Sequence, residues 1–184
     1  RWNSSIAAMN EKVKQRLPFK YQKKCKIVGD LMADINNKDK YTFKMKNEKW
    51  IAILPGSKKH KLSIGIPFFL EMADHLSSVS HDIKLMIPIA PTTNIKDFLY
   101  YQSNKNPLAK NYSSKIKYIK KLKESIFHYE LRTENNTKIY LISSSPAYTI
   151  LKQCELAITT VGANTAELAA INLPMIVVLP TQHL

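Results

Sequence analysis

Between Trp50 and Leu179 the apolar residues come in short runs, separated by longer stretches of amphipathic or polar character. Trp50 to Leu54, Ile83 to Ile89, Lys138 to Ile142, Leu156 to Val161 and Met175 to Leu179 are strand-sized and largely continuous, the pattern of strands covered on both faces. The stretches between them show helical spacing. Ile66-Pro67 opens one helix, with Phe69, Leu70, Ala73 and Leu76 on a single face; Pro67 suits a first turn, where its missing N–H costs nothing. Thr93 or Asn94 caps a second helix running through Tyr101, and Ala147 to Gln153 and Asn164 to Ile171 are two more. In the basic span Asn104 to Lys123 and just beyond it, Ile116, Ile119, Leu122 and Ile126 also fall at helical spacing, with Lys115, Lys117, Lys120, Lys121 and Lys123 spread around them.

This alternation predicts an α/β fold: a doubly wound, mostly parallel, Rossmann-like sheet with helices on both faces. Residues 1–24 are polar and Lys-rich, with a weak helical pattern (Ile6, Met9, Val13) ending before Pro18, and read as a linker or N-terminal arm. The expected domain covers 25–184; its first strand is Cys25 to Asp30, and the charged stretch Asn36 to Lys49 reads as a loop. The chain opens on Arg1-Trp2-Asn3 and stops straight after an apolar strand, so it is expected to be one domain of a longer protein.

Composition narrows the function. A hydrophobic share of 45% fits a globular chain, and no apolar run approaches the roughly 18 residues that span a bilayer. The net charge of +14 raises nucleic acid as a partner, but only Arg1, Arg16 and Arg132 among the 28 basic residues are arginines. Arginine supplies bidentate base and phosphate recognition, whereas lysine is mainly a solvated point charge. The charge therefore reads as compositional bias, with affinity for phosphorylated substrates or anionic membrane surfaces as the milder functional expectation. Two separated thiols, Cys25 and Cys154, fit a reducing compartment without disulfides. His60, His75, His81, His128 and His183 show no ligand spacing, so no metal or other cofactor is expected.

Ligands of parallel sheets bind at the carboxyl ends of strands, which puts the turns after Leu54, Ile142, Val161 and Leu179 on one rim. In Leu54-Pro55-Gly56-Ser57-Lys58-Lys59, the glycine lets backbone N–H groups approach an anion, Ser57 adds a hydroxyl and Lys58 a charge. The turn is neither a Walker A loop nor a GxGxxG fingerprint. In Thr159 to Glu167, a strand enters a small-residue turn and then a helix start, a usual seat for a diphosphate. Asn164 or Thr165 could cap that helix with Glu167 as the acidic partner, or Glu167 could accept two ribose hydroxyls; the spacing fits both.

Together these stretches resemble a known family. Trp50-Ile-Ala-Ile-Leu-Pro-Gly-Ser-Lys, Ile87-Pro88-Ile89-Ala90-Pro91 and Val161-Gly-Ala-Asn-Thr-Ala-Glu-Leu-Ala-Ala-Ile-Asn-Leu-Pro-Met-Ile-Val-Val are similar, in order, to segments of lipid-A-disaccharide synthases, and Val28-Gly29-Asp30 is similar to a short strand preceding them. The resemblance implies the C-terminal, UDP-sugar-binding half of a two-domain GT-B glycosyltransferase that passes an amino sugar to a lipid or glycolipid acceptor. It implies a cytoplasmic protein in peripheral contact with the inner membrane face, with its catalytic residues in an N-terminal half outside this chain. The implied donor-binding residues are Gly56, Ser57 and Lys58, Gly162, Asn164 and Thr165 for the phosphates, Glu167 for the ribose, Ser145 and Pro146 near the uracil, and Gln182 near the sugar. The chain departs from the family turn, Pro-Gly-Ser-Arg with an acidic residue three positions on, by carrying Lys58 and Lys61 there. Val161 and Ala163 replace hydroxyl residues around the second glycine. A non-catalytic nucleotide-sugar-binding or scaffold domain of the same fold is the alternative, ahead of a sugar-nucleotide 2-epimerase.

Overall fold

The computed structural model describes residues 5–29, 45, 48–123, 125–143 and 147–179, and its contacts divide the chain into two units, Arg1–Asn36 and Asn37–Leu184. In the smaller unit, strand β1 (Ile6–Ala8) pairs in parallel with β2 (Cys25–Ile27), and helices α1 (Glu11–Gln15) and α2 (Phe19–Gln22) connect them. The expected arm thus carries regular structure, and Cys25–Ile27 belongs with β1 rather than opening the larger sheet. Asn10 explains why the weak helical pattern does not continue through Ile6: its side chain accepts from the Val13 N–H at 3.1 Å and caps α1 there.

The larger unit is an α/β structure on one seven-stranded, mostly parallel sheet. Its strands are β3 (Lys49–Leu54), β4 (Ile83–Pro88), β5 (Ile116–Lys121), β6 (Tyr129–Thr133), β7 (Lys138–Ile142), β8 (Leu156–Thr160) and β9 (Met175–Val178), in the order β5-β6-β7-β4-β3-β8-β9. β7, β4, β3, β8 and β9 are mutually parallel, whereas β6 runs antiparallel to both β5 and β7. The expected continuous runs are all strands. β9 lies at the sheet edge, however, and there Ile176 and Val177 are exposed rather than covered on both faces.

Alternation along the strands builds two apolar layers. Ile51, Ile53, Leu85, Ile87, Ile139, Leu141 and Ile158 pack with Leu62, Ile66, Phe69, Leu70 and Ala73 of α3 (Lys59–Val79) and Phe98 and Tyr101 of α4 (Ile95–Tyr101). The opposite face carries Trp50, which stacks on Phe127 at 4.9 Å and meets Tyr140 at 5.3 Å, and Met86, whose sulfur is 3.5 Å from the Cys154 thiol behind α5 (Tyr148–Leu151). Asn94 caps α4 by accepting from the Lys96 N–H at 2.9 Å, while Asp97 accepts from the Asn94 N–H at 3.3 Å.

Two expectations change. α3 starts at Lys59, so Pro67 sits inside the helix rather than in its first turn. Proline at that position leaves the Ser63 carbonyl without its helical donor. Buried Asn106 supplies the replacement, donating from Nδ2 to Ser63 O at 2.7 Å and to Tyr101 O at 2.5 Å.

The basic span is not a helix. A 3₁₀ turn (Pro107–Asn111) precedes β5, which pairs with β6. A bulge between Ile116 and Tyr118 inserts one residue against Thr133 and Arg132. That extra residue shifts the two-residue alternation, so Ile116 and Ile119 both turn inward three positions apart and imitate a helical face. Lys117, Lys120 and Lys121 project from this outermost strand, where charge discourages pairing with another sheet edge.

Candidate functional site

The chain order reverses between β3 and β8. From β3 it passes to β4 on one side, goes on to the outermost β5 and returns through β6 to β7 beside β4; β8 then lies on the other side of β3 and leads outward to β9. Their carboxyl ends therefore form the crevice where doubly wound sheets bind ligands. Register pairs Leu54 with Thr159, and the buried Thr159 hydroxyl donates to Leu54 O at 3.4 Å, tying the two ends together.

Each strand leaves this crevice through a glycine turn. Gly56 has φ +104° and Gly162 φ +153°, conformations that side chains disfavour. Gly56 leads through Ser57 and Lys58 into α3, and Gly162 leads directly into α6 (Ala163–Ala170). Neither helix start carries a side-chain cap; Lys61 N and Thr165 N donate back to Lys58 O and Gly162 O, and among the described residues the N–H groups of the first two residues of each helix have no intrahelical partner. The close approach of Gly65 to Pro55 sets the tilt of α3: a Cβ on Gly65 would lie 2.6 Å from Pro55 O.

A cleft of about 210 Å³ opens on the rim. Gly56, Ser57, Asn164 and Glu167 line it together with Pro88 to Pro91 after β4 and Tyr148 and Leu151 of α5. Gly162 and Thr165 stand outside its lining: Thr165 Oγ1 donates to Gly162 O at 2.7 Å and braces the turn from within. Lys58 is exposed at the N-cap of α3. Ser145, Pro146 and Gln182 lie outside the described residues.

Neither Asn164 nor Thr165 caps α6, and Glu167 falls in the second turn, two residues too far along for the capping partnership. The Glu167 carboxyl makes no hydrogen bond or ion pair among the described residues, and burial pushes it above the usual carboxylate range. A carboxylate so placed gains from hydroxyl donors.

Lys61, one turn into α3, enters this site without a motif to announce it. Its Nζ donates to Val161 O at 2.5 Å, and its methylenes pass over Gly56, where a Cβ would lie 2.8 Å from Lys61 Cβ. The sequence marks it only as a lysine where the resembled family turn carries an acidic residue.

Larger depressions lie elsewhere. One of about 540 Å³ contains Glu71 and Asp74, but Ser113 donates to Glu71 and Thr133 and Asn135 donate to Asp74, so both carboxylates are committed to the fold. Among the described residues no group of His, Cys, Asp and Glu is arranged to hold a metal ion, and no helix is long and apolar enough to cross a membrane. No protein-family model and no curated protein matches the chain.

Proposed function

We propose that the larger unit binds the diphosphate and ribose of a UDP-sugar across its β3/β8 rim, as the donor half of a GT-B glycosyltransferase similar to lipid-A-disaccharide synthase. The supporting observation is the meeting, at the reversal of strand order, of two glycine turns that each enter an uncapped helix. Such an arrangement offers N–H donors and positive potential to phosphate oxygens. Glu167 accepts the ribose hydroxyls. The cleft is smaller than the roughly 300–1,000 Å³ of sites that enclose a whole ligand, so the donor lies across it rather than inside it.

In this reading the acceptor is a lipid or glycolipid hydroxyl. Its oxygen attacks the anomeric carbon, the bond from that carbon to the phosphate oxygen breaks, and UDP leaves with the electron pair. The rim stabilises the charge that develops on the departing diphosphate. The acceptor proton passes to a base supplied by another domain.

Thermal unfolding with UDP, ADP and GDP tests the proposal. UDP at a hundredfold excess over its Kd adds about 2.7 kcal/mol, several degrees of Tm for a unit of this size, and should exceed both purine nucleotides. Equal shifts with all three would reduce the site to a generic phosphate seat, and no shift would end the nucleotide reading. A scaffold that has lost its donor is the second reading, favoured by the Lys61–Val161 bond that fills the space beside Gly162, and it predicts that absence of a shift.

A further inference from the structure

We infer that Lys61, rather than the exposed Lys58, is the cation that meets an anionic diphosphate at this rim. The inference rests on the nucleotide reading for the nature of the anion.

The ammonium stands where the two glycine turns come together. A Cβ on Gly162 would lie 2.5 Å from Lys61 Nζ, and one on Gly56 would lie 2.8 Å from Lys61 Cβ and 3.2 Å from Cδ. Positive φ already favours glycine at both turns, and the Lys61 side chain runs past both of them. An ammonium has three donors, and among the described residues Lys61 commits one, to Val161 O, and makes no ion pair. Thr160, immediately before Val161, has a buried hydroxyl oxygen with no hydrogen-bond partner, a second unsatisfied polar group at the end of β8. Neither lysine lines the cleft itself, but Lys58 is exposed at the N-cap of α3, whereas the half-buried Lys61 lies against both glycine turns.

Charge chemistry favours a diphosphate as the anion. A lysine–phosphate contact is a charge-assisted hydrogen bond, stronger than a neutral one. The two spare N–H groups can reach oxygens of an anion seated on the turns without giving up Val161 O. A lysine beside the second glycine favours the more highly charged member of any donor pair, UDP over UMP.

The test uses the whole chain and three variants, Lys61→Met, Lys61→Arg and Lys58→Met, titrated calorimetrically with UDP, inorganic pyrophosphate and uridine. Lys61→Met keeps the methylenes over Gly56, and circular dichroism checks that it remains folded. The expected result is a loss of about tenfold or more in UDP and pyrophosphate affinity for Lys61→Met, with uridine binding unchanged. Lys61→Arg should recover part of the loss, and Lys58→Met should change affinity less than threefold. Equal losses for Lys58→Met and Lys61→Met, or wild-type affinity in Lys61→Met, would overturn the assignment while leaving the nucleotide reading standing. Pyrophosphate binding that depends on Lys61 without UDP binding would keep the assignment and refute the uridine nucleotide. Binding of neither probe to the wild-type chain would refute both.

Discussion

The helix that carries Lys61 depends on a repair, and the repair can be measured. Pro67 cannot donate to Ser63 O, and Asn106 does so instead at 2.7 Å while also donating to Tyr101 O at 2.5 Å. Asn106 is only 5% exposed, and its bond to Tyr101 O is buried while that to Ser63 O is partly buried. Asn106→Ala orphans two carbonyls. Each buried acceptor left without a partner costs about 1–3 kcal/mol, so the variant should lose roughly 2–4 kcal/mol once some relaxation is allowed. Urea denaturation monitored by circular dichroism reads this as a lower midpoint at unchanged m-value. The decisive comparison adds Pro67→Ala, which restores an N–H able to reach Ser63 O along the helix. In that background Asn106→Ala should cost about 1 kcal/mol less, because one of the two carbonyls keeps a donor. Packing lost with the proline ring cancels in the cycle. Strictly additive costs would refute the reasoning and show that Ser63 O does not depend on Asn106.

Three further outcomes follow from the site and core. Gly65→Ala sets a methyl 2.6 Å from Pro55 O, so it should destabilise the larger unit and weaken any rim ligand together, as read by a melt with and without UDP; unchanged values for both would contradict the close approach. Glu167 carries a raised pKa from burial, so its protonated form is the one the fold favours and its contribution is lost as pH rises through the folded-state value. Glu167→Gln should therefore stabilise the chain at pH 7 but not below about pH 4, while weakening UDP binding; urea midpoints at the two pH values and calorimetry check the pair of effects. Burial pushes the Cys154 thiol up to about 12, so it should resist a thiol reagent at pH 8 until the chain unfolds, and native labelling at the unfolded rate would contradict its environment.

The parallel part of the sheet was legible because its strands are continuous apolar runs that need no tertiary information to recognise. The rim followed from topology, since any turn after a parallel strand lies on the same edge. What failed had local physical causes. The bulge in β5 turned a strand's alternation into a three-residue spacing. β6 is no continuous apolar run and so escapes the pattern of the parallel strands, although Tyr129, Leu131 and Thr133 alternate and lead into a turn where Asn136 adopts φ +64°, a recognisable hairpin signal. Pro67 misled because its cost is removed by Asn106, a residue 39 positions away that no local rule connects to it. Glu167 was ambiguous between cap and ligand roles because the helix boundary decides between them, and boundaries are the least readable feature of a sequence. Lys61 was visible only as a departure from a family pattern, since its meaning comes from Val161, a hundred positions away.

The central claim is that a nucleotide diphosphate sits on the β3/β8 rim. Titrating the isotopically labelled chain with UDP and following backbone amide resonances tests it directly. The account predicts the largest shifts at Gly56, Ser57, Gly162, Ala163 and Asn164, with smaller ones at Glu167 and little change along β5 and β6. Shifts centred instead on Glu71, Asp74 and His75, or none at millimolar UDP, would contradict it.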